Sequence, residues 1–239
     1  MFEWIASPEA WIALGTLTAL EIVLGIDNII FISILVAKLP DAQRDRARKI
    51  GIMLAMFTRL VLLFSISWVM GLTEPWFTTF GEAISGRDVI LIGGGLFLLA
   101  KSTHEIHSSV EGASEVSGKT KAASTFGMVL VQITILDIVF SLDSVITAVG
   151  LVDHVSIMAI AIIFAVGVML LASKAISDFV DDHPTIKILA LAFLIIVGLT
   201  LILEGLDFHI PKGYIYFAML FSLTVEAVNI RMRKQVAAK

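Results

Sequence analysis

Long apolar stretches are the sequence feature that most constrains this chain. A helix needs about 20 mostly apolar residues to cross a bilayer. Hydrophobic residues make up 58% of the 239 residues and charged residues only 16%, whereas soluble domains average roughly 45–50% and about 25%. The sequence therefore predicts an all-α, polytopic transmembrane helix bundle with seven spans, at Trp11–Val36, Ile50–Leu72, Val89–Ala100, Phe126–Leu151, Val155–Ile176, Ile186–Leu203 and Tyr214–Ile230.

The third stretch is the shortest, and it spans only if its helix continues through Lys101 to Thr103. The distribution of basic residues favours that continuation. With seven spans, fourteen of the 17 Lys and Arg residues fall on one side of the membrane and two on the other. Because cytoplasmic loops carry the excess of Lys and Arg, we expect the N-terminus outside and the C-terminus in the cytoplasm. The polar stretch His104–Thr125 is expected to be a flexible cytoplasmic linker.

The first span and the fourth share an acidic motif. Leu20-Glu21-Ile22-Val23-Leu24-Gly25-Ile26-Asp27-Asn28 matches Leu136-Asp137-Ile138-Val139-Phe140-Ser141-Leu142-Asp143-Ser144 after a shift of 116 residues. The match predicts a single transmembrane domain, 1–239, with repeat one at 9–104, repeat two at 124–206 and an extra span at 213–230. A three-span unit enters the membrane upside down in its second copy. Inverted repeats are typical of transporters that bind cargo near the bilayer midplane.

Four carboxylates inside two spans need compensation, because a charge at the centre of a span costs about 2.5–3.5 kcal/mol on insertion scales. A shared cation would provide it. Gly25 and Ser141 lie between the paired acids and are places where a helix could open. Oxygen donors suit hard ions such as Mg²⁺, Ca²⁺ or Mn²⁺. The predicted metal-binding residues are Glu21, Asp27, Asn28, Asp137, Asp143 and Ser144.

Other charged residues have two interpretations each. Arg59, Lys101 and Glu204 are gating or charge-compensating candidates. Alternatively, Arg59 forms a structural ion pair, and the other two are ends that reach the interface. The stretch His104-Glu105-Ile106-His107 is a candidate entry or exit site for metal, or only a solvated face.

Several function classes are excluded by what the sequence lacks. With no cysteine, disulfide scaffolds and thiolate metal sites are ruled out. The net charge of −4 makes a nucleic-acid partner unexpected. The sequence contains no HExxH, GxSxG or Walker A motif, so we expect neither an enzyme nor an ATP-driven pump.

The doubled acidic motif, with Arg59, Lys101 and the stretch Leu203-Glu204-Gly205, resembles the TerC family of bacterial inner-membrane proteins. The resemblance runs over about residues 5 to 230. It implies seven spans, an outside N-terminus, manganese export and a metal-binding role for Glu21, Asp27, Asp137 and Asp143. It also places this chain among short members without C-terminal CBS domains.

The sequence thus favours an inner-membrane secondary transporter that exports a divalent cation, Mn²⁺ first, in exchange for protons. Mn²⁺ is cargo here, and no resident cofactor is expected. The partners are the lipid bilayer, the cation and protons, with the oligomeric state left open. The alternatives are a Ca²⁺/H⁺ exchanger-like transporter or channel, and a membrane protein assembly or insertion factor.

Overall fold

A computed structural model describes residues 7–79, 82–110, 125–151, 155–208 and 210–237. Within its helices, the side chains of Asp27, Asp143 and Ser144 lie outside that description. The described residues form helices and one β-hairpin. The elements are α1 (Pro8–Val36), α2 (Asp41–Phe64), α3 (Ile66–Gly71), β1 (Pro75–Thr79), β2 (Glu82–Ser85), α4 (Gly86–Val110), α5 (Phe126–Leu151), α6 (Val155–Asp182), α7 (Pro184–Glu204) and α8 (Lys212–Ala237).

Among the described residues, five helices are long and apolar enough to cross a membrane: α1, α4, α6, α7 and the part of α8 from Gly213 to Arg233. Helix α5 adds a shorter apolar helix over Phe126–Leu142. Helix α2 begins with a charged segment before its apolar part. The chain is therefore a polytopic helical membrane protein. The number of seven spans stays a prediction.

The second predicted span is divided in the structure. Helix α2 ends at Phe64, and α3 begins at Ile66 after a non-helical Ser65. The stretch expected to be a plain loop after it contains the antiparallel pair β1–β2, with a register shift between Pro75 and Phe77. Trp, Phe, Thr and Ile favour strands. The all-α prediction therefore holds for the spans and missed this hairpin.

Helix α4 confirms that the short third stretch continues. It runs from Gly86 to Val110 through Lys101 without a break. The linker expected to begin at His104 therefore starts later than predicted, because the last two turns of α4 occupy its first residues. The rest of the predicted linker, 111–124, lies outside the described residues.

The ends of α1 are defined by side chains that satisfy its backbone. Ser7 accepts a hydrogen bond from the backbone N–H of Ala10 at 3.2 Å, and Pro8 occupies the first turn. Both are typical of a helix start. After the other end, the guanidinium of Arg44 donates to the carbonyl oxygens of Ala37 at 2.8 Å and Leu39 at 3.0 Å. The turn to α2 is thereby fixed, and α2 returns antiparallel to α1.

The chain divides into two compact units, Met1–Arg87 with Lys119–Phe179, and Asp88–Gly118 with Val180–Lys239. The first contains α1, α2, α5 and α6, and its directions follow from contacts. Helices α2 and α5 are parallel, because Gly51 approaches Ile133 while Thr58 bonds Asp137. Helices α1 and α6 are parallel too, because Gly25 approaches Met169 while Ser177 donates to Ser33 at 2.5 Å.

In the second unit, glycines allow α4 and α7 to cross closely. A Cβ on Gly198 would lie 2.9 Å from the carbonyl oxygen of Gly95 and 3.0 Å from the Cβ of Leu98. Further along, a Cβ on Gly205 would lie 2.9 Å from the carbonyl oxygen of Asp88. The two helices are therefore antiparallel, with backbone against backbone where they cross.

We expect Gly95→Ala to destabilise the protein by about 1–3 kcal/mol, because the added methyl group would collide with the carbonyl oxygen of Gly198 and with Ile202. Gly93→Ala is the matched control on the same helix, since its Cβ would meet nothing within 4 Å. Thermal unfolding of the purified proteins in one detergent tests this. Equal melting temperatures for both variants would contradict the close crossing.

Candidate functional site: a buried ion cluster on three helices

Arg59 joins two carboxylates from different helices at the centre of the first unit. Its Nη1 donates to Glu21 of α1, its Nη2 donates to Asp137 of α5 at 3.2 Å, and its Nε donates to Ser141 at 2.9 Å. Glu21, Arg59 and Asp137 are each at most 7% exposed. We call Glu21, Arg59, Asp137 and the two hydroxyl residues Thr58 and Ser141 the ion cluster.

Asp137 is the most fully hydrogen-bonded acid of the ion cluster. One carboxylate oxygen accepts from Arg59. The other accepts from the hydroxyl of Ser141 at 3.2 Å and lies 2.9 Å from the hydroxyl of Thr58, whose single proton also has the carbonyl oxygens of Ala55 at 2.9 Å and Leu54 at 3.1 Å within reach. Ser141 lies one helical turn after Asp137 on α5. Its hydroxyl accepts a hydrogen bond from Arg59 and donates one to Asp137. This arrangement holds Asp137 in one position between α2 and α5.

The charges of the ion cluster do not cancel. With both acids ionised, two carboxylates and one guanidinium give a formal net charge of −1 among buried groups. Buried ion pairs add little net stability, but removing one partner costs roughly 3–5 kcal/mol because it leaves an uncompensated charge. The ion cluster is therefore a place where one further positive charge, such as a proton, would be favourable, whereas a divalent cation beside Arg59 would leave an excess of positive charge.

Helix directions separate the predicted metal-binding residues into levels. Glu21 and Asp137 lie at one level, since both contact Arg59. Because α1 and α5 are antiparallel, Asp27 and Asp143 lie in opposite directions from that level. Six residues advance about 9 Å along a helix. The backbones of Asp27 and Asp143 are thus about 18 Å apart along the helix axes, and one ion does not reach both.

The prediction that α1 and α5 open between their acids is wrong. Both helices are continuous, over Pro8–Val36 and Phe126–Leu151. Gly25 instead admits α6, because a Cβ there would collide with the thioether sulfur of Met169. Ser141 uses its hydroxyl in the ion cluster. Backbone carbonyls of this region therefore stay within their helices.

A small cavity adjoins the ion cluster. Four helices contribute to it, and its lining consists of Leu17, Glu21, Leu63, Val145, Met158, Ala161 and Ile162. Among the described residues of that lining, Glu21 is the only charged one. Glu21 belongs to both the lining and the ion cluster, and Leu63 of the lining lies one turn after Arg59 on α2. An apolar cavity that ends at a buried carboxylate gives that carboxylate a small adjacent free volume.

The remaining predicted site residues lie elsewhere. Lys101 pairs with Glu105 on α4 at 3.6 Å, and Glu204 ends α7, buried to 7% exposure. His104 and His107 lie on the exposed side of α4 whereas Glu105 is buried. The three do not converge, because neighbouring positions of a helix face different ways. Asn28 is half-buried on α1.

Within the described ranges, no group of three or more His, Cys, Asp or Glu side chains is arranged to hold a metal ion. Asp27 and Asp143 are outside that search, so the metal-binding assignment stays a prediction. Thr58 and Met169 were not among the predicted site residues. Thr58 directly precedes the isolated Arg59, and a hydroxyl beside a buried charge was the available signal.

We expect Thr58→Val to lower the free energy of unfolding by about 1–3 kcal/mol, because a buried carboxylate loses a donor without a change of shape. Thr134→Val is the matched control. Its hydroxyl bonds the carbonyl oxygen of Leu130 at 2.9 Å, on its own helix α5. Thermal unfolding in detergent compares the two variants, and equal losses would show that Thr58 contributes nothing to Asp137.

Comparison with known proteins places this geometry in a family. The model of the integral membrane protein TerC family matches residues 6–239. A UPF0053 protein of Haemophilus influenzae is 61% identical, over 98% of this chain and 99% of its own length. The UPF0053 inner membrane protein YgdQ of Escherichia coli is 60% identical, over 98% of each chain.

A longer relative and the solved structures complete the comparison. The UPF0053 inner membrane protein YoaE of Escherichia coli is 52% identical over 95% of this chain, which corresponds to 44% of its own length. No solved structure matches. The family expected from the doubled acidic motif is confirmed over nearly the whole chain: the protein belongs to the integral membrane protein TerC family.

Proposed function

We propose that this protein is a secondary transporter that exports a divalent cation, Mn²⁺ first, across the bacterial inner membrane in exchange for protons. One observation carries the proposal. Glu21 and Asp137, matching acids of the doubled motif, are buried together with a net negative charge on helices of a membrane protein. Ionisable residues inside a membrane mark ion paths and proton relays.

The levels of the acids support a path rather than a single cage. Asp143, the pair Glu21 and Asp137, and Asp27 follow one another at intervals of about 9 Å along the helix axes. Transport requires each site to bind the ion weakly enough for the ion to leave again. Carboxylates in series meet that requirement better than one site with all four acids. Protons compete for the same oxygens, which is the basis of the proposed exchange.

The residues next to the ion cluster support a transition metal over Mg²⁺. Carboxylate and hydroxyl oxygens suit Mn²⁺ and Mg²⁺ alike. Mg²⁺ demands oxygen ligands in nearly ideal octahedral geometry and gives up water reluctantly. A small cavity with few oxygens therefore suits Mg²⁺ poorly, and a larger divalent ion such as Mn²⁺ should tolerate an irregular set of oxygens better.

An inverted repeat with seven spans and an outside N-terminus is part of the proposal. In such a repeat, matching residues near the pseudo-two-fold axis meet each other. Glu21 and Asp137 both contact Arg59 on antiparallel helices. Gly95 and Gly198, matched in the third and sixth predicted spans, meet where α4 crosses α7. These pairs support the repeat, and with it a cargo site near the midplane.

We predict that Asp27→Asn and Asp143→Asn each reduce Mn²⁺ flux by at least about tenfold. Loss of a group that only hydrogen-bonds a metal ligand lowers metal affinity or activity by about 10–100-fold, and loss of a ligand itself should cost at least as much. Flux into liposomes containing the purified proteins provides the measurement. Asp178→Asn is the matched control. This exposed acid of α6 pairs with Lys174 at 3.1 Å, so its flux should equal wild type. Wild-type flux in all three variants would leave the acids with a structural role.

We also predict the orientation. A reporter that is active only in the cytoplasm should work when fused after Lys239 and should be inactive when fused ahead of Met1. The excess of Lys and Arg in alternate predicted loops is the physical reason. The opposite pattern would contradict the orientation predicted from the basic loops. Activity at both ends, or at neither, would contradict the seven spans, since an odd number of spans puts the termini on opposite sides.

A further inference from the structure

We infer that Arg59 is a tethered cation that fills the cargo site between Glu21 and Asp137 in the ion-free protein and competes with the transported cation for both carboxylates. The inference rests on the proposed function. It adds to that function the step in which Arg59 replaces the cation between Glu21 and Asp137. The positions of the guanidinium nitrogens, the charge of the ion cluster and the adjacent cavity carry it.

The guanidinium of Arg59 holds the oxygens that a bridging cation would need. Nη1 takes one oxygen of Glu21, and Nη2 takes the oxygen of Asp137 that the hydroxyls leave open. The second oxygen of Asp137 already accepts from Ser141 and lies 2.9 Å from the hydroxyl of Thr58. A divalent ion placed between the two acids therefore has to displace Arg59 from at least one of them.

The net charge of the ion cluster also indicates that Arg59 and a divalent cation do not occupy the site together. With Arg59 in place the ion cluster carries −1, and a divalent cation would bring it to +1 with two cations side by side. With Arg59 withdrawn, the two carboxylates and a divalent cation sum to zero. Like charges strongly disfavour each other in a weakly screened interior. The net charge of the ion cluster therefore stays between −1 and zero only if the cargo and Arg59 alternate.

The cavity next to Glu21 measures about 10 Å³, room for about one water molecule, so a withdrawing guanidinium has to push the lining side chains aside. The cavity is lined by Glu21 and by Leu63, one helical turn beyond Arg59 on the same face of α2. A guanidinium that turns toward Leu63 first releases Asp137 and Ser141, and its charge leaves the site only when it releases Glu21 as well. The apolar walls formed by Val145 and Ile162 suit the methylene groups of an arginine side chain. Asp137 is then the first acid available to an incoming cation.

Equilibrium binding of Mn²⁺ to the full-length protein in nanodiscs tests the inference, with free Mn²⁺ followed by its electron paramagnetic resonance signal. We expect Arg59→Gln to bind Mn²⁺ at least about tenfold more tightly than wild type. If Arg59 occupies the site in about nine of ten molecules, only about one in ten is open, and the apparent affinity for Mn²⁺ falls about tenfold. Arg59→Lys should lie between Arg59→Gln and wild type, since an ammonium bridges two carboxylates less well. Arg46→Gln, an exposed arginine of α2, should match wild type.

The following results would overturn the inference. Folded Arg59→Gln that binds Mn²⁺ no more tightly than wild type would make Arg59 a structural ion pair only. If Arg59→Gln does not fold, Arg59→Lys is used instead. A higher affinity of Arg59→Lys than of wild type for Mn²⁺ would support the inference, and an equal or lower affinity would contradict it. Wild-type flux with unchanged affinity in the variant overturns the competitor role alone. Absence of both binding and flux in every protein overturns the proposed function with it.

Discussion

The contact of one guanidinium with two carboxylates organises the first unit of this protein. Arg59 lies on α2, whereas its partners Glu21 and Asp137 lie on α1 and α5, so the ion cluster holds three helices at one level. No apolar contact could define that level as sharply, because only matched charges compensate each other in a medium that excludes water. The cavity, the positions of the outer acids and the inferred competition all follow from this contact.

The continuity of α1 and α5 determines what kind of path the acids can form. An opened helix would have gathered Glu21 and Asp27 around one ion, with freed carbonyls as ligands. Continuous helices instead keep the four acids on three levels, about 18 Å from first to last. A cation would then move between carboxylates, and an internal cation at the middle level would control occupancy there. Transport, in this view, depends on side-chain movement at Arg59 more than on unwinding.

Part of this was predictable from sequence, for physical reasons that can be named. The doubled motif identified Glu21 and Asp137 because buried acids are costly and rarely repeat by chance. The alternation of loops rich and poor in Lys and Arg predicted that α4 continues through Lys101, and the helix does continue. The contacts of Arg59 were not predictable, because its partners are 38 and 78 residues away. Gly25 was misread because a glycine serves an open helix and a close helix contact equally well, and Met169 decides between them. The break at Ser65 and the β1–β2 hairpin escaped because hydropathy averages over such short elements.

A structure determined with Mn²⁺ bound would show whether Arg59 and the cargo compete for the same carboxylates, because Mn²⁺ can be located by its anomalous scattering. We expect an anomalous peak between Glu21 and Asp137, within about 2.0–2.6 Å of their oxygens, the range of distances between hard divalent cations and oxygen ligands. Arg59 should have turned away from Asp137 toward Leu63. A peak elsewhere, or no peak at saturating Mn²⁺ with Arg59 still bound to both acids, would contradict this competition.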